Sequence, residues 1–369
     1  MTRTPFLLLV LVGCGSTVVV DGDGDEGGGG FGASGLGGAG VGLGGSGGVG
    51  AIAGPGGAGG DGGSIVGGNG GSGGGSGGGG ETGTFDCALA PSTALSTKIV
   101  PGARGYHGLA INDIGLMYGT DVNGNLIRST YDGAWTPFLS NLFVDQIAFA
   151  ENGNLHMASS NTVLTATPAA QLLTLNGQQQ YTYGLRMGPD GKVWIADSSS
   201  IRRLHPVSGA AETVTTLPDG GNAHSFDFNR AFDRLYIGTI GDLGHIRFVD
   251  LDVNYNAVGQ PQTFVNLMGF GSVWLDGIAT DVCGNLYVPN FTTSQLFKVT
   301  PTGTPTVYVD WSSDSSKYGH GVIFGNGLFG FREDALYLPM PYNYNTVMEV
   351  VVGIPGREFA GTVINGPTP

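Results

Sequence analysis

From about residue 96 onward the chain alternates short apolar runs with Gly, Asn, Asp and Pro, and the i, i+3, i+4 spacing of amphipathic helices is nearly absent. Six stretches repeat the same order: "HGLAINDIGLMYGTD", "QIAFAENGNLHMASS", "YGLRMGPDGKVWIAD", "HSFDFNRAFDRLYIG", "DGIATDVCGNLYVPN" and "HGVIFGNGLFGFREDALYLPM". Each has one lead residue, a short alternating strand, a polar or glycine turn, and a strand read apolar–aromatic–apolar. The aromatic slot holds Tyr118, His156, Trp194, Tyr236, Tyr287 and Tyr337. The copies begin at 107, 146, 183, 224, 276 and 320, a period of roughly 40–50 residues, which is the range of propeller blades.

Each copy has room for four strands. In the first they are expected at Leu109–Asn112, Leu116–Thr120, Asn125–Ser129 and Trp135–Leu139. A lone four-stranded sheet cannot bury both faces; packing such sheets radially buries them against one another and leaves only short edges. The last copy carries three strands after His320, ending at "TVMEVVVG", and the segment "TKIVPG" before His107 can supply the fourth. The expectation is an all-β fold: a six-bladed β-propeller whose N-terminal strand closes the last blade.

The stretch "WLDGIATDVCGNLYVPNFTTSQLFKVTPTG" resembles a repeat of the gluconolactonase and senescence-marker-protein (regucalcin-like) propellers, and also of NHL-type and virginiamycin-lyase-like propellers. The resemblance covers residues of about 96 to 353 as architecture, and propellers host many chemistries. In such propellers the innermost strand of each blade starts near the central axis. The lead residues His107, Gln146, Tyr183, His224, Asp276 and His320 would then form one ring at the channel mouth. The fourth, fifth, sixth and first blades are consecutive around a closed ring, so His224, Asp276, His320 and His107 converge. Three imidazoles and a carboxylate suit a divalent metal, Zn²⁺ foremost, with Ca²⁺, Mn²⁺ or Fe as alternatives. Gln146 and Tyr183 are expected to line the channel, and glycines after His107, Asp276 and His320 to let the backbone pass close to the axis.

The resemblance implies one metal ligand directly: Asp276, in the pair Asp276–Gly277, matches the family's Asp-Gly ligand. Elsewhere the pattern departs from it. His107 stands where that family has Glu, and His224 and Tyr183 stand where Asn ligands are expected, so its lactonase site is not reproduced. The remaining histidines fall elsewhere: His156 in the aromatic slot, His205 in a turn between outer strands, and His245 at the head of an outer strand.

The chain opens "MTRTPFLLLVLVGCGS", an apolar run too short to span a bilayer that ends Leu11-Val12-Gly13-Cys14. This resembles a bacterial lipobox, with a signal at 1–13, cleavage before Cys14 and lipid on its sulfur. The expected address is the cell envelope, lipid-anchored, with the outer membrane favoured. Residues 14–84 are dominated by Gly with Ser, Ala and Asp, and much of the chain's 71 glycines lie here. So little apolar side chain cannot offset the entropy of ordering, and the segment reads as a disordered tether with a span of about 40–45 Å. The propeller then takes 85–369, and the chain is expected to be a monomer. Cys87 and Cys283 form an even pair that could be a disulfide in an oxidising compartment or two buried thiols.

A net charge of −14 argues against nucleic acid. There is no G-x-S-x-G elbow and no phosphate loop placed between a strand and a helix. Two functions remain: a metal-dependent hydrolase, lactonase or lyase at the channel, or a non-catalytic propeller that recognises a small molecule, glycan, peptide or envelope protein there.

Overall fold

The structure is a computed structural model that describes residues 85–175, 182–240, 244–271, 273–314 and 316–357. The signal, the tether and Cys14 lie outside the described residues. Among the described residues, the strands form six four-stranded antiparallel sheets.

Blade one consists of Leu109–Ile111, Met117–Thr120, Leu126–Ser129 and Thr136–Leu139. Blade two is Ile147–Phe149, Leu155–Ser159, Thr162–Ala166 and Leu172–Leu175, and blade three Thr182–Met187, Val193–Asp197, Ser200–Leu204 and Ala211–Thr216. Blade four is Asn222–Phe228, Arg234–Ile240, His245–Leu251 and Ala257–Asn266, and blade five Ala279–Thr280, Leu286–Asn290, Gln295–Val299 and Pro305–Asp310. Blade six takes Ile323–Phe324, Ala335–Met340 and Thr346–Val351 from the C-terminal side, and its outer strand is Ser96–Arg104 from the N-terminal side. That outer strand pairs antiparallel with Thr346–Val351, placing Ile99 opposite Met348 and Val100 opposite Val347.

Ring closure is visible in the core, which lies in six clusters, each between successive blades. Tyr118 and Leu126 of blade one meet Leu155 and Met157 of blade two. Val163 meets Ile195, Trp194 meets Phe228, Ile246 meets Leu286, and Leu296 meets Leu338. The circle ends with Tyr337 and Val100 of blade six packed on Leu109 and Met117 of blade one. All six residues of the aromatic slot are buried.

The inner strands pack tightly on their neighbours, and glycine makes this possible. A Cβ on Gly277 would lie 2.8 Å from Val322 N of the next blade, and one on Gly321 would lie 2.6 Å from His107 O. Real Cβ atoms do not come so close to backbone. This refines the expected role of these glycines: they clear the neighbouring strand around the ring.

Cys87 and Cys283 are joined by a disulfide, with Cα atoms 5.6 Å apart. It fixes the segment before the closing strand to the inner turn of blade five. Among the described residues no helix is long and apolar enough to cross a membrane.

Candidate functional site

His107, Gln146, Asp276 and His320 stand one to three residues before their inner strands, while Tyr183 and His224 are among the first residues of theirs. The structure brings together the four that were expected to converge, in ring order. His224 Nδ1 is 3.1 Å from Asp276 Oδ1, and Asp276 Oδ2 is 3.7 Å from His320 Nδ1. His320 Nδ1 is 2.9 Å from His107 Nδ1. The arc continues to a residue that sequence reasoning missed: Asp145 Oδ1 lies 3.7 Å from His107 Nδ1. Five titratable side chains thus run from blade four to blade two, and each imidazole enters the arc through Nδ1.

The cluster is nearly dry. Asp276 is 5% exposed and His320 8%. Burial disfavours the charged form of each group. It pushes His107 down to about 4. Burial, with the nearby His107, pushes His224 down to about 3. His320 is driven well below its ordinary value by burial and then by His107 and His224. The Asp276 carboxyl is driven well up, first by burial and then by the charge of Asp145. At neutral pH the imidazoles are therefore neutral, with a lone pair available on one ring nitrogen each.

The pair His224 Nδ1 and Asp276 Oδ1 faces at 3.1 Å without forming a hydrogen bond: both atoms are buried and neither has a hydrogen-bond partner among the described residues. Buried polar atoms left this way are costly and call for an explanation. A cation between them is the chemistry that neutral imidazole and carboxylate both serve. The contacts are made in pairs; among the described residues no group of three or more His, Cys, Asp or Glu side chains is placed to hold a metal ion. The donors are nevertheless of the kinds that a divalent ion takes.

Tyr183 stacks beside His224, ring centres 4.1 Å apart. The Gln146 amide reaches across to blade six, where a Cβ on Gly321 would meet its Nε2 at 3.1 Å. Gln146 lines the central cavity, and Tyr183 stands beside His224 without being among the residues that line that cavity. His156 is buried with Nδ1 2.8 Å from Thr165 Oγ1, far from a site role. His205 lies in the turn after Ser200–Leu204 and His245 opens an outer strand.

A second feature was not legible in the repeat. Aromatic side chains from the connecting loops crowd the imidazoles. Tyr106 stands 4.6 Å from His107, and Phe291 packs edge-on at 4.4 Å from His320. Phe291 in turn contacts Tyr318 at 5.2 Å, Tyr342 at 5.9 Å and Trp274 at 6.0 Å. Tyr342 is 56% exposed, so this rim can meet a ligand from solvent.

No protein-family model matches the sequence, and no curated protein matches it. Solved structures do. A gluconolactonase from Xanthomonas campestris matches with a TM-score of 0.60 at 13% identity, over 73% of this chain and 94% of that one. A calcium-binding protein, regucalcin, from Agrobacterium tumefaciens matches at 0.58 and 14% identity, over 73% and 97%. Virginiamycin B lyase from Staphylococcus aureus, solved with quinupristin, matches at 0.50 and 11% identity, over 69% and 99%. The chain has the six-bladed propeller fold of the gluconolactonase and regucalcin-like structures; at these identities the likeness shows the fold alone.

Proposed function

We propose that the lead-residue cluster is the centre of a metal-dependent hydrolase acting on a lactone or related ester at the channel mouth. The observation that carries this reading is the unpartnered, buried pair His224 Nδ1 and Asp276 Oδ1, set in an arc with His320, His107 and Asp145. His107, His224, His320 and Asp276 would hold the cation, Zn²⁺ by its preference for imidazole, with Ca²⁺, Mn²⁺ or Fe as alternatives. Such an ion, when bound, supplies Lewis acidity toward a carbonyl oxygen.

The chain's own residues do the rest. Burial keeps the three imidazoles neutral, so their lone pairs need not be freed of protons at pH 7. Asp145 stands next to His107 and is placed to accept a proton from it or to hold its ring in orientation. Phe291, Tyr342 and Tyr106 offer flat apolar faces to the body of a substrate. The fold similarity to gluconolactonases supports hydrolysis, and that to virginiamycin B lyase supports elimination at the same centre as a variant of this reading. The second reading is a non-catalytic propeller, in which the aromatic rim recognises a glycan, peptide or other ring-bearing ligand.

We also place the propeller at the cell envelope, held through lipid on Cys14 and the glycine-rich tether. The lipobox pattern supports this, and so does a disulfide, which persists in oxidising compartments. Loss of radiolabelled palmitate in a Cys14→Ser variant tests the anchor.

The test of the site is elemental analysis of the purified full chain beside the His224→Ala/His320→Ala double variant, with a lactone-hydrolysis assay on both. Stoichiometric metal in the parent, lost with activity in the variant, is expected. A parent that takes up no Zn²⁺, Ca²⁺ or Mn²⁺ while keeping its fold would leave the binding propeller as the better reading.

A further inference from the structure

Residues 85–95 form a strap along the seam between blades five and six, before the closing strand begins. At one end Cys87 is bonded to Cys283, in the turn between Ala279–Thr280 and Leu286–Asn290 of blade five. At the other, Leu95 N donates to Val351 O of blade six at 2.8 Å. Phe85, Ala90 and Ala94 lie half-buried on the core cluster that the two blades share.

The strap covers a buried cation that the channel site does not use. Lys298, on strand Gln295–Val299, is 8% exposed. Its Nζ donates to Pro91 O at 2.8 Å and to no other acceptor among the described residues. The ammonium otherwise faces the rings of Tyr308 and Tyr287, 5.4 and 5.9 Å from their centres. A buried ammonium stripped of its acceptor is costly, so Lys298 needs either the strap or water. The chain's three other lysines, Lys98, Lys192 and Lys317, keep 55%, 31% and 32% of their side chains open.

Noncovalent contacts hold the strap thinly. Asp86 to Leu89, Ser92, Thr93 and Leu95 are exposed, and Pro91 and Leu95 make its hydrogen bonds to the blades. A segment with so few buried apolar contacts and hydrogen bonds opens at low cost. The disulfide therefore carries most of the hold. Cys87 is exposed and Cys283 half-buried, and exposed disulfides are the ones that thiols reach.

We infer that the Cys87–Cys283 bond is a thiol-sensitive latch: a dithiol that reduces it frees residues 85–95 and makes Lys298 an accessible amine. One thiolate of the dithiol attacks Cys87 Sγ, the S–S bond breaks and Cys283 leaves as thiolate. The second thiolate of the dithiol then displaces Cys87. Two electrons and two protons pass to the cysteines, and the dithiol ends as a disulfide. The closing strand keeps its own ladder, with Ser96 facing Val351 and Val100 facing Val347. The latch stays closed in an oxidising compartment, and it stands apart from the channel site and its proposed activity.

Lysine footprinting of the folded full chain tests it, with dithiothreitol as the dithiol, an acetyl N-hydroxysuccinimide ester as the amine reagent and mass spectrometry as the readout. Before reduction Lys98, Lys192 and Lys317 should acetylate readily and Lys298 slowly. Dithiothreitol should make both cysteines alkylatable and raise the Lys298 rate at least about tenfold, the other three rates holding, as expected of a local opening. Reoxidation should restore the protection. This comparison carries the test even if the Cys87→Ser/Cys283→Ser variant is too weak to fold; folded, that variant should show the fast Lys298 rate without reductant. A bond that resists dithiothreitol in the folded chain, or a Lys298 rate unchanged by reduction, would overturn the proposal. So would a joint rise of all four lysines on reduction, which would mean that the whole propeller opens rather than the strap.

Discussion

His107 Nδ1 and His320 Nδ1 lie 2.9 Å apart although 213 residues separate them in the chain. The contact exists because blade six meets blade one where the ring closes. Both rings are neutral at pH 7, His107 being pushed down to about 4 and His320 well below its usual value by burial. Two neutral imidazoles facing through the same nitrogen can bond only if one carries its proton on Nδ1 and the other on Nε2. In metal-free protein, long-range ¹H–¹⁵N spectra should therefore show two different tautomers in this pair. Two identical Nε2–H tautomers would contradict the contact. Added Zn²⁺ should shift both Nδ1 resonances together.

The same closure rests on Glu349, a fully buried carboxylate on Thr346–Val351. Its Oε2 accepts from Tyr131 OH and Tyr337 OH, each at 2.8 Å, and Lys98 of the closing strand stands 3.2 Å from Oε1. Tyr131 is in blade one, so the carboxylate ties both sides of the seam. Hydrogen bonds to a buried charge are worth about 1.5–3 kcal/mol each. Tyr337→Phe should lower stability by about 2 kcal/mol in urea titration, and Glu349→Leu should cost less than Glu349→Ala, since it refills the space. A Tyr337→Phe variant as stable as the parent would show that the network carries no net energy.

The blades were legible because each copy repeats its own burial pattern: an inner strand, a turn and an aromatic slot are local properties. The closing strand was legible from the missing fourth strand of the last copy. Strand ends were harder to place. Asn112 was expected to end the first inner strand, but its side chain turns back to accept from Leu116 N at 2.8 Å, and the strand stops at Ile111. Asp145 escaped because it stands one residue before the lead position, and its approach to His107 depends on the next blade. Phe291 and Tyr342 come from loops of unequal length, where the repeat carries no register. Arg186 reads in sequence as an ordinary alternating polar position; only the ring brings its Nε within 3.3 Å of Asp227 Oδ1, which Arg357 also pairs at 2.9 Å.

The disulfide between Cys87 and Cys283 closes a loop of 196 residues. On the chain-entropy view a loop of that size restrains the unfolded chain by about 5 kcal/mol, with native-state effects reducing what is measured. The Cys87→Ser/Cys283→Ser variant should unfold at distinctly lower temperature, with the loss well above 1 kcal/mol in urea. The metal content should be unchanged, because Cys283 lies in the turn of blade five between Ala279–Thr280 and Leu286–Asn290, away from the lead residues. If reduction leaves the unfolding midpoint where it was, the bond contributes nothing to the fold.

His156 adds, in the aromatic slot, to the pH-dependent stability that the buried ring histidines His107, His224 and His320 also impose. It occupies the slot where the other blades carry Tyr or Trp, it is 1% exposed, and its Nε2 is buried without a partner. Burial pushes the imidazole down to about 4 from the ordinary 6.5. Between those values the unfolded chain binds the proton and the folded chain refuses it, so stability rises with pH through that window. Stability is undiminished above about pH 6.5 and falls as pH drops toward 4, the loss reaching about 3 kcal/mol at the bottom of the window. His156→Tyr, which restores the slot's usual aromatic, should make the stability curve less steep between pH 4 and 6.5 than the parent's, leaving the slope that His107, His224 and His320 impose. Urea unfolding at several pH values reads both curves. Parallel curves for the two proteins would mean that His156 titrates no differently in the folded and unfolded chains, and the burial argument for it would fail.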